Sequence, residues 1–175
     1  MTARRPPPPP SLDCALCFCQ NTAWTRRNSQ NGYFKCNSCW STVFFGSGDE
    51  TRIAALLAGL VRQARATGLP PAALREKVIA NRAASAGAVG LTADCPFCER
   101  PEVATLFTDA KARFCVRCAA CSAAWFLGKP TAWGGLCLLF PAFGAIVYRR
   151  LHPDRMLGPL PVEQPVAPSE VVHGN

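Results

Sequence analysis

The sequence lacks the residue patterns on which most enzymes depend. It contains only two histidines, His152 and His173, and both lie towards the C-terminal end. There is no glycine-rich phosphate loop, no Ser-His-Asp order and no pair of carboxylates spaced for general acid–base catalysis. We therefore predict that the protein is not an enzyme.

Acidic residues are also scarce. The 175 residues include 11 Asp and Glu against 19 Lys and Arg, so the net charge is +8. A surplus of this size indicates a polyanionic partner or a membrane surface. With 49% hydrophobic and 17% charged residues, the composition excludes a wholly disordered chain.

Cysteine, in contrast, is abundant. The chain has 11 cysteines, and no secretory signal is recognisable at its start. This combination favours metal binding over disulfides and a reducing, cytoplasmic location. A disulfide framework is the less favoured alternative.

Eight of the cysteines form a pattern that occurs twice. Each copy has a Cys-x-x-Cys pair, a basic hairpin and a second Cys-x-x-Cys pair, followed by an apolar strand ending in Gly46 or Gly128. From Cys36 and Cys118 onward the two copies keep one constant offset, which indicates an internal duplication. Two such pairs can supply four thiolates to one tetrahedral metal ion.

This spacing resembles that of the zinc-ribbon superfamily over residues 14–46 and 95–128. The resemblance implies two structural Zn²⁺ ions in closed sites with no open position for water. The first zinc would be bound by Cys14, Cys17, Cys36 and Cys39, and the second by Cys95, Cys98, Cys118 and Cys121. Where zinc ribbons often have glycine after a knuckle, this chain has Phe18, Trp40, Glu99 and Ser122.

The second ligand set has one competitor. Cys115 and Cys118 also form a Cys-x-x-Cys pair, so Cys95, Cys98, Cys115 and Cys118 is a conceivable set. The repeat argues against it, because Cys115 aligns with Tyr33 of the first copy. Cys19 and Cys137 have no counterpart either.

Cationic and aromatic residues alternate on the predicted hairpins, and Asn31-Gly32 predicts the turn of the first one. Cations for phosphate and rings for stacking are what a nucleic acid would use. The candidate contact residues are Arg26, Arg27, Lys35, Lys111, Arg113, Arg117, Trp24 and Phe107. The competing interpretation is that the rings form the small ribbon cores and the cations are only solvated.

We predict a small metal-stabilised α+β fold in which two four-cysteine zinc β-ribbons are joined by a helical hairpin. Apolar residues at helical spacing predict helices at 51–67, from Ile53 to Ala64, and at about 71–83. The predicted segments are a disordered proline-rich tail (1–13), ribbon 1 (14–48), helical hairpin and linker (49–90), ribbon 2 (91–129), a short hydrophobic segment (130–150) and a disordered tail (151–175).

The uncharged segment 130–148 has two interpretations. With Trp133 and Tyr148 near its ends it has the outline of a short transmembrane helix, although Pro141 lies in its middle. Alternatively, a turn at 140–144 would join two buried strands, 136–140 and 145–148.

From these features we expect a non-enzymatic zinc protein that binds DNA or RNA as an accessory or regulatory factor. The alternative is a membrane-associated adaptor that is held to the bilayer by 130–148 and uses its ribbons to bind another protein.

Overall fold

The computed structural model describes residues 11–27, 31–46, 50–85 and 90–155. They form one seven-stranded antiparallel sheet and four α-helices. The predicted α+β class is therefore confirmed. The outer parts of both predicted tails, and much of the linker after the helical hairpin, lie outside the described residues.

Each copy of the repeat contributes neighbouring strands to this sheet. The spatial order is β1-β2-β3-β7-β6-β5-β4. The strands are β1 (Ala23–Arg27), β2 (Asn31–Cys36), β3 (Thr42–Gly46), β4 (Thr92–Ala93), β5 (Ala104–Thr108), β6 (Phe114–Cys118) and β7 (Ala124–Phe126).

The two ribbons join through their exit strands, β3 and β7. Val43 pairs with Trp125, the residue that aligns with it in the repeat. On either side, Thr42 pairs with Phe126 and Phe44 pairs with Ala124. Because this register maps onto itself when the copies are exchanged, a pseudo-two-fold axis passes through the Val43–Trp125 pair.

The predicted tail 1–13 is too long at its C-terminal end. Leu12 and Ala23 form an isolated antiparallel β-bridge in which each N–H donates to the other residue's carbonyl oxygen, with N···O distances of 2.6 and 2.9 Å. Residues 11–13 therefore continue the edge of ribbon 1, as β4 does at the edge of ribbon 2.

The predicted turn at Asn31-Gly32 is wrong, although the hairpin itself is present. Both residues belong to β2, where Gly32 pairs with Arg27, and the connecting residues 28–30 lie outside the described part. A Cβ at Gly32 would stand 2.1 Å from Cε2 of Phe45. Glycine is needed here because an aromatic ring packs directly on the backbone.

The helical hairpin follows the predicted pattern. Helix α1 spans Glu50–Ala66 and α2 spans Pro71–Ser85. The buried positions of α1 are Ile53, Leu57, Leu60 and Ala64, and those of α2 are Leu74, Ile79 and Ala83. Gly68, with φ of +65°, follows the end of α1 and donates its N–H to the carbonyl of Arg65.

Segment 130–148 is helical, and the predicted pair of strands is wrong. Short 3₁₀ turns at Pro130–Ala132 and Pro141–Phe143 precede α3 (Trp133–Leu139) and α4 (Gly144–Leu151). Most of its apolar side chains are buried against protein, and α2 packs on both helices. Over the described ranges, none of the helices is long and apolar enough to cross a bilayer.

The helices supply one layer and the sheet the other. Trp125, fully buried on the inner face of the sheet, packs against Phe97 and Phe140 with ring centroids 4.7 and 4.9 Å apart. Phe114 packs against Trp133 of α3 at 4.8 Å. The core thus includes side chains from both ribbons, which explains why the repeats form a single unit.

Candidate metal centres and the open sheet face

Four sulfur atoms converge at each predicted site, and within each cluster they all lie within 4.8 Å of one another. In the first, Cys14 and Cys39 Sγ are 3.9 Å apart, and Cys17 and Cys36 Sγ 3.8 Å. In the second, the distances are 3.8 Å for Cys95–Cys121 and 3.7 Å for Cys98–Cys118.

These distances fit a tetrahedral tetrathiolate centre. With metal–sulfur bonds of about 2.3 Å, the edge of such a tetrahedron is about 3.8 Å. The four sulfurs of each cluster are therefore placed to bind one ion. The second cluster uses Cys121 and not Cys115, as the repeat indicates.

Four left-handed residues shape the knuckles. Phe18, Trp40, Glu99 and Ser122, each directly after the second cysteine of a pair, have φ between 58° and 63°. These are the positions where zinc ribbons often have glycine. The resemblance therefore extends to the backbone, although this chain places side chains where left-handed geometry costs about 1 kcal/mol or more.

A pair of aspartates that the sequence analysis missed secures the first knuckle of each ribbon. Asp13 Oδ1 accepts the N–H of Asn21 at 3.0 Å, and Asp94 Oδ1 accepts that of Glu102 at 3.1 Å. Both donors have positive φ. The signal was present in the sequence, because each aspartate directly precedes the first cysteine of its ribbon.

In the second cluster, burial makes the thiols of Cys95 and Cys121 hard to ionise. It raises the pKa of Cys95, and it raises the pKa of Cys121 to about 11. A cation that accepts all four sulfurs would remove this penalty, because it supplies the positive charge that the buried thiolates lack.

Three cysteines lie outside both clusters. Cys19 is half-buried, whereas Cys115 and Cys137 are buried. Burial raises the pKa of Cys115, and that of Cys137 to about 12, which keeps these thiols protonated at neutral pH. Neither the geometry nor the ionisation state indicates a ligand role for them.

The face of the sheet opposite the helices carries the candidate aromatic residues. Trp24 lies edge-to-face with Tyr33, with ring centroids 5.6 Å apart, and Phe107 is 42% exposed. Neither Trp24 nor Phe107 belongs to the hydrophobic core clusters. These two rings therefore lie outside the core, whereas Phe34 and Phe114, which also neighbour the candidate cations, are buried in it as the competing interpretation expects.

The candidate cations differ in their surroundings. Lys35 and Arg117, which are equivalent in the repeat, are exposed on the open face, and Lys111 is exposed at the loop between β5 and β6. Arg113 is paired with Asp109, with Nε 2.6 Å from Oδ2, and this contact holds the pKa of Asp109 below its usual range. The side chains of Arg26 and Arg27, at the end of β1, fall outside the described part.

No family model, curated protein or solved structure matched this chain. The two metal-binding clusters and the open face are thus the features from which a function can be argued.

Proposed function

We propose that this is a non-enzymatic zinc-binding protein whose two structural zinc ions hold a sheet that binds nucleic acid. Zinc is the metal of choice because four thiolates in tetrahedral geometry are its typical structural ligand set. Each site has four sulfurs, so no coordination position remains for a substrate or a reactive water.

The charge of the sheet is the observation that carries the nucleic-acid part. None of the seven described strands contains an Asp or a Glu, whereas they contain Arg26, Arg27, Lys35 and Arg117. Cations on a surface without nearby carboxylates attract phosphate without competition. Lys35 lies in β2 of one ribbon and Arg117 in β6 of the other, so one polyanion could contact both ribbons.

Metal analysis tests the zinc assignment. We expect two zinc ions per purified chain, and one after Cys121→Ser. Cys19→Ser and Cys115→Ser are matched controls, because both sulfurs lie outside the clusters, and these variants should keep two zinc ions. One zinc or none in the wild type, or loss of zinc in Cys115→Ser, would contradict the assignment.

Salt-dependent binding tests the nucleic-acid assignment. The double variant Lys35→Gln, Arg117→Gln should weaken binding of labelled DNA or RNA and flatten the dependence of log affinity on log salt. On a single strand, each lost phosphate contact reduces that slope by roughly 0.7.

The control removes the same charge from the helical side. Arg62 on α1 and Lys77 on α2 are exposed, so Arg62→Gln, Lys77→Gln should leave the slope unchanged. If the wild-type chain shows no salt-sensitive binding of single- or double-stranded DNA or RNA, the proposed nucleic-acid function fails, while the zinc assignment stands or falls by metal analysis.

A further inference from the structure

Five aromatic side chains form a row across the open face of the sheet. We call them the ring row: Trp24, Tyr33, Phe44, Phe126 and Phe107. From Trp24 to Phe126 the successive ring centroids are 5.6, 6.0 and 5.9 Å apart. Beyond Phe126, the strand register leads through Cys115 to Phe107.

The ring row crosses the boundary between the ribbons. Phe44 and Phe126 are equivalent in the repeat, and they contact each other edge-to-face across the pseudo-two-fold axis. The row therefore exists only because β3 pairs with β7. A single ribbon would carry only part of it.

These rings do not stabilise the core. All five are absent from the hydrophobic core clusters, and Phe107 and Phe126 are 42% and 37% exposed. Contiguous exposed apolar surface on a folded domain commonly marks a binding site. Ring–ring contacts hold Trp24, Tyr33, Phe44 and Phe126 in place, which lowers the entropic cost of presenting them to a ligand.

We propose that the ring row is a stacking surface for single-stranded nucleic acid that runs across both ribbons. This inference rests on the proposed function and specifies its substrate class. The bases would stack on the rings, while the phosphates would be neutralised by Lys35 and Arg117 beside the row.

The dimensions of the sheet favour a single strand over a duplex as the ligand. From β1 to β5 the row crosses five strand intervals, about 24 Å at the usual spacing of about 4.8 Å. The major groove of B-DNA is only about 12 Å wide, and bases in a duplex are already stacked on one another. Unpaired bases, in contrast, can turn their faces to the rings.

Charge argues against a second copy of this chain as the occupant. Two copies meeting through the same face would place Lys35 and Arg117 of both copies in one interface. The described strands provide no carboxylate to compensate these cations. Like charges brought together on a sheet surface are destabilising, whereas the phosphates of a nucleic acid are attracted.

The test uses the zinc-loaded 175-residue chain. Its three probes share one mixed sequence: a 20-nucleotide single-stranded DNA, the corresponding RNA and the DNA duplex. We expect at least one single strand to bind more tightly than the duplex. Phe126→Leu and Phe107→Leu should each weaken single-strand binding about fivefold or more, because a base stack on an aromatic ring is lost. The salt slope should not change, since both variants keep every cation.

Trp40→Leu is the matched control. Trp40 is 64% exposed but lies at a knuckle outside the ring row, so its loss should leave single-strand affinity unchanged. Zinc content and circular dichroism confirm that each variant is folded. Leucine is chosen because it keeps an apolar side chain on the strand.

The outcomes separate the inference from the function on which it rests. Salt-sensitive binding that favours the duplex would contradict the proposed stacking surface. So would single-strand binding that is unchanged in Phe126→Leu and Phe107→Leu. Either result leaves the nucleic-acid function intact. Absence of binding to all probes overturns both. A wild-type dimer that Phe126→Leu converts to a monomer, with no single-strand binding, assigns the face to a second copy instead.

Discussion

The two cysteine clusters have the same ligand spacing but different surroundings. All four sulfur ligands of the first cluster belong to buried residues, whereas Cys98 and Cys121 of the second are only half-buried. The duplication has thus produced one centre inside the core and one at its edge. Equal ligand geometry does not imply equal stability.

The helical layer is one source of this difference. Gly135 N–H at α3 donates to Leu16 O at 3.0 Å, and Arg75 Nη1 of α2 donates to Cys17 O at 3.1 Å. Both acceptors belong to the first knuckle of ribbon 1. In ribbon 2, the equivalent knuckle is contacted by an exposed ion pair between Arg52 and Glu99, a type of contact that contributes little.

Hydroxyl groups are the second source. Thr22 Oγ1 lies 3.4 Å from Cys36 Sγ, and Ser41 Oγ lies 3.3 Å from Cys39 Sγ. The repeat places Val103 and Ala123 at the equivalent positions of ribbon 2. Hydrogen bonds to ligand sulfurs disperse thiolate charge and orient the ligands, so the first centre has support that the second lacks.

Removing a ligand should show the largest difference between the centres. A structural zinc site contributes on the order of 10 kcal/mol of folding free energy, which is similar to the total stability of a typical domain. We expect Cys36→Ser to abolish cooperative thermal unfolding, because ribbon 1 anchors the helices. Cys121→Ser should lose one metal ion yet keep a cooperative, lower transition by circular dichroism. Equal loss in both variants would show that the two centres are equally integrated.

Metal release should distinguish the centres by rate. In the presence of a chelator, the second centre should release its ion at a rate about tenfold higher or more, because its opening exposes less buried structure. Alkylation followed by mass spectrometry shows the order in which the individual cysteines become accessible. Cys98 and Cys121 should be modified before Cys14 and Cys36, and Cys137 should stay unmodified until the chain unfolds. Simultaneous modification of both clusters would contradict a graded release.

The close packing of α3 on the first knuckle predicts a smaller effect on stability, which a single substitution can test. A Cβ at Gly135 would lie 2.3 Å from Leu16 Cα and 2.5 Å from Ala15 O. Because both are backbone atoms, Gly135→Ala should lower the free energy of unfolding by about 2–3 kcal/mol.

Gly59→Ala is the matched control for this prediction. Gly59 lies within α1, and its added Cβ would meet only Arg62 Nη2, at 3.9 Å. Alanine has the higher helix propensity, so this variant should gain about 0.5–1 kcal/mol. If both variants shift thermal unfolding in the same direction, the close approach at Gly135 does not secure the first centre.

Local pattern was enough to predict the metal ligands and the helical hairpin. The constant offset between the copies separated Cys121 from Cys115, and helical spacing placed α1 and α2 within a few residues. These features depend on residues that lie close in sequence or repeat regularly, so the sequence contains the information directly.

Features that depend on contacts between distant segments were not predictable. The apolar run 136–148 is too short for periodicity to separate strands from helices, and its packing against α2 decided the outcome. Gly144, for example, would place a Cβ 2.5 Å from Arg82 Cβ. Pairing of β3 with β7 likewise depends on the pseudo-two-fold axis, so the continuous open face could not be anticipated from either ribbon alone.

The smallest expected difference in stability between the two ribbons comes from the left-handed residue of each second knuckle. Trp40 and Ser122 are equivalent in the repeat, with φ of 59° and 58°. Glycine adopts this geometry without strain but loses more backbone entropy on folding. Ser122→Gly should therefore gain about 0.5 kcal/mol, a rise in Tm of about 1–2 °C.

Trp40→Gly should gain less or nothing, because Lys129 Nζ lies 4.2 Å from the centre of the Trp40 ring. Losing this cation–π contact costs about 0.5–1 kcal/mol at an exposed site, which offsets the relief of strain. Differential scanning calorimetry of both zinc-loaded variants measures the difference. A fall in Tm for Ser122→Gly would mean that the serine side chain contributes more stability than its left-handed backbone costs. The prediction that Ser122→Gly is the more stabilising of the two substitutions would then be wrong.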